Sequence, residues 1–107
     1  MSEYKVDVTP AAWSDLLGIG DHIAQDNPVA ANRVVDKIVL SLKRLETFPL
    51  SAPLMQDKEF SKRGYRVLRC GKYLCFYYFE DKTAHVQHFS HCARDHPTIS
   101  KHLNSED

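Results

Sequence analysis

The residues from Gly64 to Asp95 decide the fold, and they read G-Y-R-V-L-R-C-G-K-Y-L-C-F-Y-Y-F-E-D-K-T-A-H-V-Q-H-F-S-H-C-A-R-D. Strand-compatible residues, many of them β-branched or aromatic, dominate this stretch, and two short breaks interrupt it, at Gly71-Lys72 and at residues 80–83. Such a pattern is typical of hairpin strands joined by tight turns. It predicts a meander of three antiparallel strands, at about 65–70, 73–79 and 84–90.

The residues before the meander predict one strand and two helices. Residues 4–8 alternate apolar and polar side chains, which indicates a strand with one buried face. Thr9-Pro10 and Asn27-Pro28 each combine a favourable N-cap with a proline suited to the first helical position. The second helix is expected to run from Pro28 to about Thr47, before Phe48-Pro49 ends it. The few residues between the helices predict an antiparallel αα-hairpin.

Apolar residues at three- and four-residue spacing form one stripe on each helix. The first stripe comprises Trp13, Leu16, Leu17, Gly20, Ile23 and Ala24, and its glycine would permit close approach of the second helix. The second comprises Ala31, Val34, Val35, Ile38, Leu42 and Leu45. The main core residues are therefore expected to be Trp13, Leu16, Leu17, Val34, Ile38, Leu42, Tyr77, Phe79 and Val86.

The element order β-α-α-β-β-β predicts the α+β class, with an antiparallel sheet and the αα-hairpin packed on one of its faces. The chain has 107 residues, of which 43% are hydrophobic, and these values suit one small domain with a real core. We expect a single domain over residues 1–107, with its core at about 4–96 and a C-terminal tail at 97–107.

Charge is balanced overall but unevenly distributed. The net charge is zero, which argues against a general coat for nucleic acid. Residues 1–57 nevertheless carry a net charge of −3 and residues 58–107 a net charge of +3. Six basic residues lie between Lys58 and Lys72, against Glu59 as the only acid. This patch suits contact with phosphates or an acidic protein surface, and it equally suits a solvated loop and sheet edge.

Three cysteines, Cys70, Cys75 and Cys92, form no CxxC motif, and no signal peptide precedes them. The odd count predicts a reducing compartment, the cytoplasm. No apolar run approaches the length of about 20 residues that spans a membrane, so no membrane association is expected. Cys92 follows His91 directly on an extended chain, where neighbouring side chains do not bond each other, so an inert thiol is expected.

Five of the six histidines lie between His85 and His102, but their spacing argues against a metal site. His85 and His88 are three residues apart on a strand, and alternation would place them on opposite faces. Tetrahedral zinc needs converging ligands. We therefore expect neither a metal nor a cofactor.

Arginine supplies the more interesting candidates. Arg66 and Arg69 are three residues apart on a strand, which predicts opposite faces for them. One of them is expected to stabilise the sheet, with Asp95 as a candidate partner, and the other is available to a ligand. Arg94, at a strand end, is suited to holding a phosphate or carboxylate through two hydrogen bonds. The alternative is an arginine paired within the domain.

Four motifs, in this order, resemble a known family. They are Thr9-Pro10-Ala11-Ala12 before the first helix, Phe48-Pro49-Leu50 after the second, the two strands 65–69 and 71–77, and His91-Cys92-Ala93-Arg94-Asp95, which is similar to a terminal H-x-x-R-D. Over about residues 4–96 the chain resembles the ParE/RelE superfamily of toxins from bacterial type II toxin–antitoxin systems, also called plasmid-stabilisation proteins.

The resemblance implies one of two activities. RelE-like toxins cleave mRNA in the ribosomal A site, whereas ParE-like toxins bind DNA gyrase and block replication. RelE-like toxins keep lysines on the first meander strand, an arginine on the second and another after the third. Only Arg94 matches that set, because Leu74 occupies the second-strand position and the lysine positions fall near Tyr65 and Val67.

We therefore expect a ParE-like toxin that inhibits gyrase by binding rather than by catalysis and forms a hetero-oligomer with a cognate antitoxin. The expected target-binding residues are Arg66, Arg69, Arg94 and His96. The first alternative is a ribosome-dependent mRNA endonuclease that acts through Arg69, His91 and Arg94, with the ribosome and mRNA as partners. The second is a non-toxic protein-interaction module.

Overall fold

The computed structural model describes residues 3–91, and these form a four-stranded sheet with helices packed on it. The strands are β1 (Lys5–Val8), β2 (Tyr65–Cys70), β3 (Tyr73–Glu80) and β4 (Thr83–His91), and the helices are α1 (Pro10–Ala24), α2 (Pro28–Arg44) and α3 (Lys58–Lys62). The strand order is β1-β4-β3-β2. The predicted α+β class is confirmed, and the tail at 97–107 lies outside the described residues.

The meander forms as predicted, with each strand boundary within one residue of the expected position. Backbone conformation explains the two turns. Gly71 has a φ of 65° between β2 and β3, and Asp81 and Lys82 have φ values of 54° and 61° between β3 and β4. Positive φ in a two-residue hairpin turn matches the right-handed twist of the strands it joins. The sequence breaks therefore fall where the chain reverses.

Strand β1 joins the sheet in parallel with β4, from Lys5 opposite Thr83 to Val8 opposite Val86. The sheet is therefore antiparallel through the meander and parallel at this edge. A parallel pair of strands needs a long connection between them. Here the helices and the first two meander strands lie between β1 and β4 in the chain and provide it. Because β1 runs beside β4, α1 starts next to the middle of the last strand.

Both helices of the hairpin begin where the sequence predicts. The side chain of Thr9 accepts a hydrogen bond from the Ala12 amide at 3.1 Å, and that of Asn27 accepts one from the Ala30 amide, also at 3.1 Å. Each cap satisfies a backbone donor that the first helical turn leaves open. Helix α2 ends at Arg44 rather than near Thr47.

The core lies between the hairpin and one face of the sheet. Five of the nine expected core residues are fully buried, namely Leu16, Ile38, Leu42, Tyr77 and Val86, and Val34 and Phe79 pack against them while partly buried. The prediction was wrong for Trp13 and Leu17, which are 49% and 64% exposed. Helix α1 instead turns Ala12, Leu16 and Ile19 toward the sheet.

A β-bulge in β4 changes which histidines share a face. Tyr77 pairs with Val86 but Phe76 pairs with His88, so Gln87 is the extra residue. His85 pairs with Tyr78 on the same side of the sheet as Phe76. His85 and His88 therefore lie on one face, and the expectation of opposite faces was wrong because simple alternation does not hold across a bulge.

The connection at residues 50–62 contains the short helix α3. Asp57 caps it by accepting from the Glu59 amide at 2.8 Å. Just before it, Leu54 bridges Arg66 in an antiparallel sense, so this connection partly covers the outer edge of β2. Among residues 3–91 no helix combines the length and the hydropathy needed to cross a bilayer.

Candidate functional site: the hairpin groove and the open sheet face

The exposed part of the α1 stripe lines a groove between α1 and α2, which we call the hairpin groove. Its volume is about 320 Å³, and its lining includes Trp13, Leu17, Ala24, Ala31, Val35 and Val39. The helices approach closely here, because a Cβ placed on Gly20 would lie 3.3 Å from Cγ2 of Val35. The predicted role of this glycine is therefore confirmed.

The hairpin groove is unusually apolar for a surface. Asp21 is the only charged residue in its lining, while Trp13 and Leu17 expose about half or more of their surface. Scattered apolar side chains are normal on a protein surface, whereas a concave cluster of this kind indicates a binding site. The apolar periodicity of α1 is the sequence signal for it, although periodicity alone does not separate a groove from a core.

The second surface is the side of the sheet that faces away from α1 and α2, which we call the open sheet face. Alternation assigns residues to it, because Tyr73, Cys75 and Tyr77 of β3 are buried beneath the hairpin. The residues between them, and those paired with them on the neighbouring strands, belong to the open sheet face. They comprise Tyr65, Val67, Arg69, Leu74, Phe76, Tyr78, His85 and His88.

An aromatic row crosses the open sheet face. The Phe60 and Tyr65 ring centroids are 5.5 Å apart, those of Tyr65 and Tyr78 are 5.2 Å apart, and those of Tyr78 and His85 are 4.8 Å apart. His85 Nδ1 lies 3.8 Å from a carboxylate oxygen of Asp7. Such ring contacts stabilise a sheet. The side chains at the centre of the open sheet face are therefore mainly aromatic rather than cationic.

The predicted opposition of Arg66 and Arg69 is confirmed by the strand register. Arg66 pairs with the buried Tyr77, so it lies on the hairpin side, whereas Arg69 pairs with Leu74 on the open sheet face. Arg69 is exposed, and its Nε donates to the carbonyl of Gly71 at 3.0 Å. The structure thus separates these two predicted target-binding residues instead of bringing them together.

Arg66 acts as a clamp for the connection after α2. One guanidinium nitrogen, Nη1, donates to the carbonyl of Ala52 at 2.6 Å and to that of Leu50 at 3.4 Å. The buried hydroxyl of Tyr77 donates to the carbonyl of Pro49 at 2.8 Å. Together these hydrogen bonds fix residues 49–52 over the end of the core. Arg66 is therefore an arginine paired within the domain, which was the alternative to a ligand-binding arginine.

The remaining predicted site residues divide between the described and undescribed parts of the chain. His91 ends β4 and packs edge-on against Tyr73, with ring centroids 4.9 Å apart. Arg94, Asp95 and His96 lie outside the described residues, so their placement and the proposed pairing with Asp95 stay predictions.

Two histidine–carboxylate contacts lie at the edge between β4 and the N-terminal part of the fold. Besides the contact of His85 with Asp7, His88 Nδ1 lies 3.1 Å from an oxygen of Asp15. That oxygen also accepts from the amide of Phe89 at 3.1 Å, so Asp15 binds α1 to β4 beyond the end of β1. Across residues 3–91, no group of three or more metal-ligating side chains converges.

The two described thiols are buried in the core. Burial raises the pKa of Cys70, and burial together with the neighbouring Cys70 raises the pKa of Cys75 well above its usual value. Both side chains are therefore held as neutral thiols near neutral pH. Since the thiolate is the reactive form, neither is suited to nucleophilic chemistry.

Solved structures share this fold. A chain of the chromosomal ParDE toxin–antitoxin system from Pseudomonas aeruginosa superposes with a TM-score of 0.68 at 20% identity, over 82% of this chain and 95% of that one. A chain of the toxin–antitoxin complex RelBE2 from Mycobacterium tuberculosis superposes with a TM-score of 0.62 at 22% identity, over 82% and 96%. The fold is thus one found in components of type II toxin–antitoxin systems.

The sequence comparison is more specific than the shared fold. The family described as ParE toxin of type II toxin-antitoxin system, parDE matches residues 6–96, which is most of the chain. The chain therefore belongs to the ParE toxin family, and the recognition made from the four motifs is confirmed. A comparison with curated proteins finds no match.

Proposed function

We propose that this ParE-family toxin inhibits DNA gyrase by binding it, without cleaving RNA, and that a cognate antitoxin neutralises it. The observation that carries the first part is the composition of the open sheet face. By the resemblance, an mRNA-cleaving relative would place cations near Tyr65, Val67 and Leu74. These positions lie on one face here, and they hold a phenol and two aliphatic side chains.

Cleavage of an RNA backbone needs groups that move protons and stabilise charge at the scissile phosphate. The aromatic row and the aliphatic residues beside it supply no lysine or arginine at the centre of the open sheet face, and its two imidazoles, His85 and His88, lie against the carboxylates of Asp7 and Asp15. Arg69 is the cation of β2 on this face, and its Nε is already bonded to the adjacent turn. These features support binding as the mode of action.

The proposed target contacts are Arg69, Arg94 and His96, with Arg66 acting chiefly through the segment that it clamps. An exposed arginine is well suited to an acidic protein surface, because its planar fork binds a carboxylate through two hydrogen bonds. Arg69→Ala should therefore weaken gyrase inhibition while leaving the fold intact. Arg66→Ala should weaken it together with stability, because it releases the carbonyls of Leu50 and Ala52.

The antitoxin is proposed to cover the hairpin groove. A groove between two helices, nearly free of charge, fits an amphipathic helix that presents apolar residues at helical spacing. Burying the exposed parts of Trp13 and Leu17 would contribute about 1 to 3 kcal/mol each before the costs of association. An antitoxin that binds only the folded toxin would also stabilise it by mass action.

Two assays test the proposal against the mRNA endonuclease. Purified toxin is added to a gyrase supercoiling reaction and, separately, to a translating ribosome whose mRNA is examined for cuts. Inhibited supercoiling with intact mRNA is the expected result. Codon-dependent cuts with unaffected gyrase would overturn it, and no growth arrest on expression without an antitoxin would instead indicate a non-toxic interaction module.

A further inference from the structure

A second pocket, separate from the hairpin groove, opens where the α1–α2 turn faces the β2–β3 turn. Its volume is about 510 Å³, and we call it the end pocket. Its lining comes from four parts of the fold: the end of α1 with the α1–α2 turn, helix α2, the β2–β3 turn with the adjoining ends of both strands, and the end of β4. A concave site of this size lies within the range that proteins use for small molecules, about 300 to 1,000 Å³.

Basic side chains converge on the end pocket from all four elements. His22 comes from α1, Lys37 from α2, Lys72 from the turn and His91 from β4. Among residues 3–91, Asp26 is the single acidic residue in the lining. This described part of the lining is therefore net positive, with two ammonium groups against one carboxylate.

The β2–β3 turn positions one of these ammonium groups. Gly71 has a φ of 65°, and a Cβ placed there would lie 3.7 Å from Nζ of Lys37 and 3.8 Å from its Cδ and Cε. The lysine side chain thus lies along the bare turn backbone, and its ammonium group is close to Gly71, which directly precedes Lys72. Two lysines from distant parts of the sequence therefore both line the end pocket at this turn.

Two aromatic rings also line the end pocket. Tyr73 is almost fully buried, and the His91 ring stands perpendicular to it at a centroid distance of 4.9 Å. Aromatic rings beside ammonium groups match a ligand with a flat ring and an anionic end.

We propose that the end pocket binds a phosphate monoester, with a nucleoside 5′-phosphate as the ligand that uses both the ammonium groups and the aromatic rings of the lining. Lys37 and Lys72 would hold the phosphate as charge-assisted donors. The proposal does not depend on gyrase inhibition or on the antitoxin, because the residues involved lie outside both the hairpin groove and the open sheet face.

The test is a calorimetric titration of the full-length toxin with adenosine 5′-monophosphate, adenosine and inorganic phosphate at constant salt. The double variant Lys37→Gln/Lys72→Gln is compared with Lys43→Gln/Lys62→Gln. All four lysines are exposed, but only the first two line the end pocket, so the control removes the same charge without removing a pocket donor. Because charge-assisted hydrogen bonds are among the stronger polar contacts, the first variant should lose about tenfold or more in affinity. The control should stay within about twofold, since lysines outside the pocket act on the ligand only through screened charge.

Binding of the monophosphate without binding of adenosine supports the proposal. Inorganic phosphate that binds as tightly as the nucleotide would overturn the nucleoside 5′-phosphate as the ligand, because the aromatic rings would then contribute nothing to binding. No saturable binding of either would overturn the proposal, as would an equal loss in the two double variants. A short oligonucleotide without terminal phosphate that binds as tightly as the nucleotide would overturn it too. Circular dichroism verifies that both variants are folded.

Discussion

Replacing Leu16 and Leu17 separately by alanine tests which apolar residues of α1 lie in the core and which are exposed in the hairpin groove. The two residues are adjacent and chemically identical, but Leu16 is 2% exposed in the core and Leu17 is 64% exposed in the hairpin groove. Leu16→Ala should lower the free energy of unfolding by about 3 kcal/mol, because it removes buried methyl groups and leaves a cavity. Leu17→Ala should lower it by less than about 1 kcal/mol, since little burial is lost and alanine favours helix.

Urea unfolding of the isolated toxin, followed by circular dichroism, measures both values. A difference of about 2 kcal/mol corresponds to about 8 to 16 °C in Tm for a domain of this size. In a second assay, antitoxin affinity should fall about tenfold for Leu17→Ala and by less for folded Leu16→Ala, because Leu16 also lines the hairpin groove but is only 2% exposed there. Equal destabilisation by the two substitutions would refute the placement of α1, and unchanged affinity of Leu17→Ala would refute the role of the hairpin groove.

Three further predictions concern stability. Asn27→Ala removes the cap of α2 and should cost about 1 kcal/mol in urea unfolding, whereas Asn27→Asp should cost less because it retains an acceptor; equal losses would contradict the cap. Tyr77→Phe leaves the Pro49 carbonyl without its donor and should cost about 1 to 2 kcal/mol, with faster amide exchange at residues 50–52; unchanged exchange there would contradict the clamp. Stability should fall as pH rises through 9, the usual pKa of the thiol, because the unfolded Cys75 loses its proton while burial raises its pKa in the folded protein. In Cys75→Ala, the free energy of unfolding should fall less steeply between pH 8 and 10 than in the wild type. An identical slope in the two proteins would contradict the role of the buried Cys75 thiol.

The strands of the meander were predictable because their signals are local. Gly71-Lys72 and the polar break at 80–83 mark the turns, and the aromatic and β-branched residues between them fit a half-buried sheet. The bulge at Gln87 was not predictable in the same way, since it depends on how β4 pairs with β3. A single extra residue there moved His88 onto the face of His85 without any local sequence signal.

Helix α1 shows the limit of periodicity. Its apolar residues cover an arc wide enough for two overlapping stripes, one through Ala12, Leu16 and Ile19 and the other through Trp13 and Leu17. Both have helical spacing, so the sequence alone gave no reason to bury alanine and expose tryptophan. The choice is set by the close approach of α2 and by the position of β4, which are properties of the assembled fold.

The candidate site was predicted in part. The opposite faces of Arg66 and Arg69 follow from strand alternation, whereas the clamp formed by Arg66 depends on carbonyls 14 and 16 residues away in the chain. Such long-range partners leave no periodic pattern. The roles of Arg94 and His96, beyond the described residues, remain predictions that target-binding assays address.

Gyrase supercoiling in the presence of antitoxin tests the central proposal most directly. Wild-type toxin and Leu17→Glu are each titrated into the reaction, first alone and then with a stoichiometric amount of the cognate antitoxin. Both toxins should inhibit supercoiling, and the antitoxin should restore activity only with the wild type, because a carboxylate in the hairpin groove would be buried without a partner. Full supercoiling with saturating wild-type toxin would contradict gyrase as the target, and equal rescue of both toxins would contradict the hairpin groove as the antitoxin site.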